Sequence, residues 1–165
     1  MKDIVIEKVT LNIGVGEGGQ QLENAKTLLE RIGGNTAVKT LSKTRNPVFH
    51  IKKGDPIGVK VTLRGGNALE VLKKSFKAHD NRIAKKSFDP FGNFAFGIKE
   101  YIEYPGIKYD PKIGIIGFDV CVTLKRRGKR VSKRRRKKTK IGHKHKITKD
   151  EAIEFVKKRF EIEVD

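Results

Sequence analysis

Half-polar strands alternating with amphipathic helices predict an α+β fold. The expected form is a mostly antiparallel sheet with its helices packed on one face, its other face open and polar, and a basic extension beyond it. Three observations carry this expectation. Ile57–Arg64 alternates at period two, with Ile57, Val59, Val61 and Leu63 on one side and Lys60, Thr62 and Arg64 on the other. Leu22, Ala25, Leu28, Leu29 and Ile32 recur at helical spacing. From Lys125 to Lys146 there are 14 Lys and Arg and no acid, with almost nothing apolar to hold that run against a core.

In chain order, Ile4, Val5 and Ile6 open a strand whose alternation settles only at Val9. Val9, Leu11, Ile13 and Val15 then face a core, and Thr10, Asn12 and Gly14 face away. The first helix follows Gly18-Gly19 and stops at Gly33-Gly34, where glycine suits a helix end. Thr36 to Leu41 reads as a short strand, and Lys43 to Pro56 is longer than a tight hairpin needs. After Gly65-Gly66, Asn67 with Glu70 three residues later reads as a capping box for a helix through Leu69, Leu72 and Phe76. Turn signals at Asp89-Pro90 and Gly92-Asn93 break up Phe88, Phe91, Phe94 and Phe96, giving a loop and then a strand from about Asn93 to Ile98. Tyr101 to Pro111 has no firm period. The last strong strand is Ile115 to Leu124, with Ile116, Phe118, Val120, Val122 and Leu124 inward and Asp119, Cys121 and Thr123 outward. Thr148-Lys149-Asp150-Glu151 forms a second capping box, opening a final helix to about residue 160 with Ala152, Phe155, Val156 and Phe160 inward. The expected organisation is one domain over residues 1–165, with a basic extended segment at about 125–147 and a C-terminal helix at about 148–160.

Charge narrows the partner. Lys and Arg number 38 against 19 Asp and Glu, a net +19, and a field of that sign favours polyanions, nucleic acid first among them. A membrane is disfavoured, because no stretch joins a large apolar moment to a basic face and no run approaches 18 apolar residues. One cysteine, Cys121, cannot form an intrachain disulfide, and the N-terminus has no apolar signal region; both point to the cytoplasm. Within the basic segment, Arg126, Arg127, Lys129, Arg130, Lys133, Arg134, Arg135, Arg136, Lys137, Lys138 and Lys140 repel one another. Alone the segment should be disordered, and it should order against a polyanion.

The long loop mixes Val48, Phe49 and Ile51 with Lys43, Arg45, Lys52 and Lys53. Such a mixture suits stacking on bases while the charges meet phosphate; the alternative is that the apolar residues tuck into the core. Gly14-Val15-Gly16-Glu17-Gly18-Gly19 fits the G-x-G-x-x-G pattern between a strand and a helix, so a nucleotide-dependent enzyme built on it is the alternative reading of the whole chain. Against it, the strand before the loop is half-polar, Glu17 would sit beside a pyrophosphate, and Thr36 to Lys43 contains no acid for a ribose. A chromatin-type DNA binder shares the charge but leaves the polar sheet face without a role. His143 and His145 lack the further ligands that a metal site needs, and no catalytic constellation stands out, so no metal, cofactor or enzymatic activity is expected.

Several stretches carry a family resemblance. They are Val9-Thr10-Leu11-Asn12-Ile13-Gly14-Val15-Gly16-Glu17, Thr44-Arg45 with the loop to Pro56-Ile57-Gly58, and Lys60-Val61-Thr62-Leu63-Arg64-Gly65. Phe88-Asp89, Gly92-Asn93-Phe94 and Gly117-Phe118-Asp119 add to them. Together they resemble the large-subunit ribosomal protein five family, the universal proteins that bind 5S rRNA in the central protuberance. The basic segment with Ile141-Gly142-His143-Lys144-His145 and the capped final helix is similar to archaeal and eukaryotic members. The longer N-terminal helix of bacterial members is missing here.

That resemblance implies a structural ribosomal protein of the cytoplasm with no enzymatic activity. It implies contacts to 5S rRNA through Thr10, Asn12, Lys43, Thr44, Arg45, Lys60, Thr62 and Arg64. A loop of Asn46, Pro47, Val48, Phe49, His50, Ile51, Lys52 and Lys53 would reach P-site tRNA, and the basic segment would meet large-subunit rRNA. Neighbouring proteins of the central protuberance and a small-subunit bridge protein complete the implied partners.

Overall fold

A computed structural model describes residues 1–165. The strands are β1 (Ile4–Gly14), β2 (Val38–Leu41), β3 (Pro56–Leu63), β4 (Arg82–Ile83), β5 (Phe94–Ile98), β6 (Phe118–Arg126) and β7 (Glu163–Val164); the helices are α1 (Gln20–Gly33), α2 (Gly65–Lys77) and α3 (Lys149–Phe160). Five strands form one sheet in the order β2-β3-β1-β6-β5, with every neighbouring pair antiparallel. A short parallel pair, β4 with β7, ties the chain end back to the middle of the molecule.

The first strand explains its own irregular pattern. Its register against β6 shifts between Ile6 and Lys8, a bulge that inserts one residue. Ile4 and Ile6 therefore pack on the core before the bulge, and Val9, Leu11 and Ile13 after it. The expected faces follow elsewhere too: Val59, Val61 and Leu63 of β3 and Phe118, Val120, Val122 and Leu124 of β6 are buried. Strand β6 begins at Phe118 and leaves Ile115 exposed, three residues later than its alternation suggested.

Helices α1 and α2 cover the apolar face. Leu22, Ala25, Leu28, Leu29 and Ile32 of α1 are buried, with Ala68, Val71, Leu72 and Phe76 of α2. Gly33 lets α1 approach β3 closely, since a Cβ there would lie 2.8 Å from Val61 Cγ1. The expected capping box at Asn67 is corrected. The helix starts at Gly65, and Asn67 instead donates its amide to the Gly33 carbonyl at 2.8 Å, closing the end of α1. Phe76 stacks on Phe96, with ring centroids 5.3 Å apart, and tilts against Phe160 at 5.1 Å, so α2, β5 and α3 meet on one side of the sheet. Thr148 and Glu151 form the expected capping box of α3.

The basic segment is joined to the domain more firmly than its composition suggests. Arg126 ends β6 opposite Ile4, is only 7% exposed, and donates to Glu151 at 2.6 Å. Beyond Gly128 a single 3₁₀ turn, Lys129–Ser132, brings Lys129 to 3.1 Å from Glu7, and Lys133 pairs with the same carboxylate. The expectation that the cations of this segment only repel one another is thus corrected at Arg126, Lys129 and Lys133, each of which meets a carboxylate of the domain. Burial would raise the Glu7 carboxyl, but hydrogen bonds from Lys133 and Lys129, with their charges, outweigh it and hold the group below its ordinary value.

A carboxyl depressed in the folded state stabilises above its unfolded pKa, and the contribution is lost as pH falls through the folded value. Glu7→Gln should therefore speed hydrogen exchange at the Val131 and Lys133 amides at neutral pH, with the difference from wild type closing on acidification. Equal exchange in both proteins at neutral pH would show that Glu7 does not hold the segment.

Candidate nucleic-acid interface

The face opposite the helices is bare, and pairing register decides who shares it. Asn12 lies between Lys60 of β3 and Asp119 of β6; Thr10 lies between Thr62 and Cys121. Cross-strand neighbours of this kind stand roughly 5 Å apart, so Thr10, Asn12, Lys60 and Thr62 form one contiguous patch. Lys8 and Thr123 extend it along the strands. Arg64 continues the extended backbone past β3 as the N-cap of α2, exposed at one end of the patch.

Lys43, Thr44 and Arg45 are exposed at the opposite end, beyond β2, about the length of β3 away from Arg64. The eight residues that the resemblance assigned to 5S rRNA therefore divide. Four sit together on the sheet, and the others bracket it.

Asn46 to Lys53 forms a projecting ribbon. Asn46 and Ile51 exchange backbone hydrogen bonds of 2.9 and 3.0 Å, and Ser42 and Asp55 pair below them at 2.8 Å. At the tip, the Asn46 side chain accepts from the Val48 amide at 3.1 Å, and the His50 amide donates to the Pro47 carbonyl. Val48 is 80% exposed and Phe49 68%, while Ile51 is half-buried. Val48 and Phe49 thus lie outside the core, against the reading that tucks the loop's apolar residues into it. Lys52 and Lys53 flank them in solvent.

The basic segment presents Arg127, Arg130, Arg134, Arg135, Arg136, Lys137, Lys138 and Lys140 to solvent, none within ion-pair distance of a carboxylate. Arg126 does not belong with them, being buried against Glu151. A signal for that was present: Arg126 continues the inward parity of Val120, Val122 and Leu124. His145 is also partly engaged, its ring nitrogen 2.9 Å from the Arg127 carbonyl.

In the glycine loop the Val15 and Gly16 amides both donate to the Ile57 carbonyl, at 3.0 and 2.9 Å, so these two are tied to the start of β3 and not turned toward an anion. No three His, Cys, Asp or Glu side chains converge on a point. Burial, and then the charge of Asp119, push the Cys121 thiol up, away from the thiolate that a nucleophile requires. No helix is long and apolar enough to cross a membrane.

Comparison with known proteins agrees with this arrangement. Residues 1–52 match the family model for ribosomal protein L5, and residues 56–155 match the model for the C-terminus of the same ribosomal family. Among curated relatives, the large ribosomal subunit protein uL5 of Methanococcoides burtonii is 48% identical over 165 residues, covering 100% of this chain and 98% of its own. Those of Methanococcus maripaludis and Sulfurisphaera tokodaii are also 48% identical, covering 99% of this chain and 92% and 93% of theirs. With a bare polar sheet face, a projecting ribbon and a basic extension on a sequence matched from end to end, the chain belongs to the ribosomal protein L5 family.

Proposed function

We propose that the chain holds 5S rRNA on the open face of its sheet, through Thr10, Asn12, Lys60 and Thr62, with Lys43, Thr44, Arg45 and Arg64 at its ends. As a member of its family it is a structural constituent of the large ribosomal subunit, an rRNA-binding protein of translation and not an enzyme. The observation that carries the finer reading is the patch itself: hydroxyls, an amide and an ammonium from two adjacent strands on a face that no helix covers. Lysine and arginine meet phosphate there and position the RNA, while threonine and asparagine are short enough to meet sugar or base edges.

In the same reading the Asn46 to Lys53 ribbon meets P-site tRNA, with Phe49 free to stack and Lys52 and Lys53 free to meet phosphate. The exposed cations of the basic segment meet large-subunit rRNA. Neighbouring proteins of the central protuberance, and a small-subunit protein across a bridge, are the protein partners that go with this place in the ribosome.

Arg64→Ala should leave cooperative unfolding intact, weaken 5S rRNA binding, and lower the slope of log affinity against log salt by about 1. Loss of cooperative folding instead would mean that the strand faces are reversed. Replacing Asn46 to Lys53 with a tight turn should leave 5S rRNA affinity and its salt slope nearly unchanged, while ribosomes carrying the change hold P-site tRNA less well. Phe49→Ala would isolate the stacking share of that loss, roughly 1 to 3 kcal/mol per base. If the shortened but folded protein no longer binds 5S rRNA, the ribbon belongs to the 5S site.

A further inference from the structure

The five-stranded sheet carries two carboxylates, and they are treated differently. Glu7 is held by Lys129 and Lys133. Asp119 is exposed on the open face and its carboxylate makes neither an ion pair nor a hydrogen bond, although Lys60 lies only two strands away. Its other flank is bare. Gly97 is its partner on β5, and a Cβ built there would meet nothing within 4 Å except Asp119 Oδ1, at 3.4 Å. A planar group can therefore approach the carboxylate along the face without meeting a side chain from β5.

An unneutralised carboxylate on a surface that binds phosphate repels its ligand unless it meets hydrogen-bond donors. Nucleobase edges supply such donors, and one of them fits what stands beside Asp119. The Watson–Crick edge of guanine runs acceptor, donor, donor: O6, N1–H and the N2 amine. Asn12, directly opposite Asp119 in the β1–β6 register, carries an amide that can donate to O6, while the two carboxylate oxygens accept from N1–H and N2–H. Cytosine and adenine each offer a carboxylate one exocyclic amine and no second donor beside it. We propose that Asn12 and Asp119 together read the Watson–Crick edge of an unpaired guanine laid on the open sheet face. This rests on the assignment of that face to RNA, and it adds to phosphate positioning a residue that chooses the base. The guanine must come from a loop or bulge, since in a duplex its Watson–Crick edge is already paired.

The test uses the full-length protein and purified 5S rRNA. Kethoxal adds across N1 and N2 of unpaired guanines, so wild-type protein should protect one guanine that Asp119→Asn leaves reactive, with the other protections unchanged. Asp119→Asn should weaken binding roughly ten- to hundredfold, with an unaltered salt slope. Inosine, which lacks the N2 amine, placed at the protected position should weaken wild-type binding but cause no further loss with Asp119→Asn. Binding by Asp119→Asn that is unchanged or tighter would mean that the carboxylate meets no donor. Weaker binding with no guanine protected, or indifference of the wild type to inosine, would overturn the guanine assignment. Lys60→Ala separates the layers: if it lowers affinity and salt slope while Asp119→Asn is neutral, only this inference falls. If Lys60→Ala has no effect, the sheet-face reading falls and this one with it.

Discussion

The register of β1 between β3 and β6 is the constraint on which the rest of the molecule depends. Val9, Leu11 and Ile13 point into the core only because Leu63, Val61 and Val59 stand opposite on one side, and Val122 and Val120 on the other. A slip of one residue would send that apolar row to solvent and bury Thr10 and Asn12. Burying a methylene contributes about 0.8 kcal/mol, so three aliphatic side chains fix the register strongly. The same register assembles the polar patch. One packing decision therefore sets both the stability of the fold and the composition of its binding face.

Electrostatics adds a second layer on that frame. The bulge at Glu7 takes an acid out of strict alternation and lets it face two lysines of the basic segment, which anchors the start of an otherwise self-repelling run. Glu151 serves both the N-terminus of α3 and the buried Arg126 guanidinium, coupling the last helix to the last sheet strand. The Thr148 amide, and then Arg126, hold its carboxyl below the ordinary value. Beyond these anchors the positive charges are free, so the segment combines a fixed base with a surface available to polyanion.

Much of this was legible in the sequence, for a physical reason. Where one face of an element is buried, periodicity records it directly, so α1, the faces of β3 and β6, and the capping box of α3 were all readable from spacing. Contacts between distant segments leave no such trace. Asn67 resembled a helix start because its local context was right, yet the Gly33 carbonyl beside it in space needed its amide more. Arg126 read as part of a charge run, although its parity matched Leu124. In the site, alternation identified Thr10, Asn12, Lys60 and Thr62 one strand at a time. That they are neighbours, and that Asp119 joins them, follows only from the strand order.

Cys121 offers the most direct test of the central claim, because the lone thiol of the chain lies on the open face beside Thr10 and Ala95. Its alkylation rate, measured under mildly alkaline conditions with and without saturating 5S rRNA, reports whether that face is covered. RNA seated on the sheet predicts strong protection of Cys121, relieved by salt in step with dissociation. Alkylation at the same rate in free and RNA-bound protein would mean that the RNA lies elsewhere, and the assignment of the sheet face would be wrong.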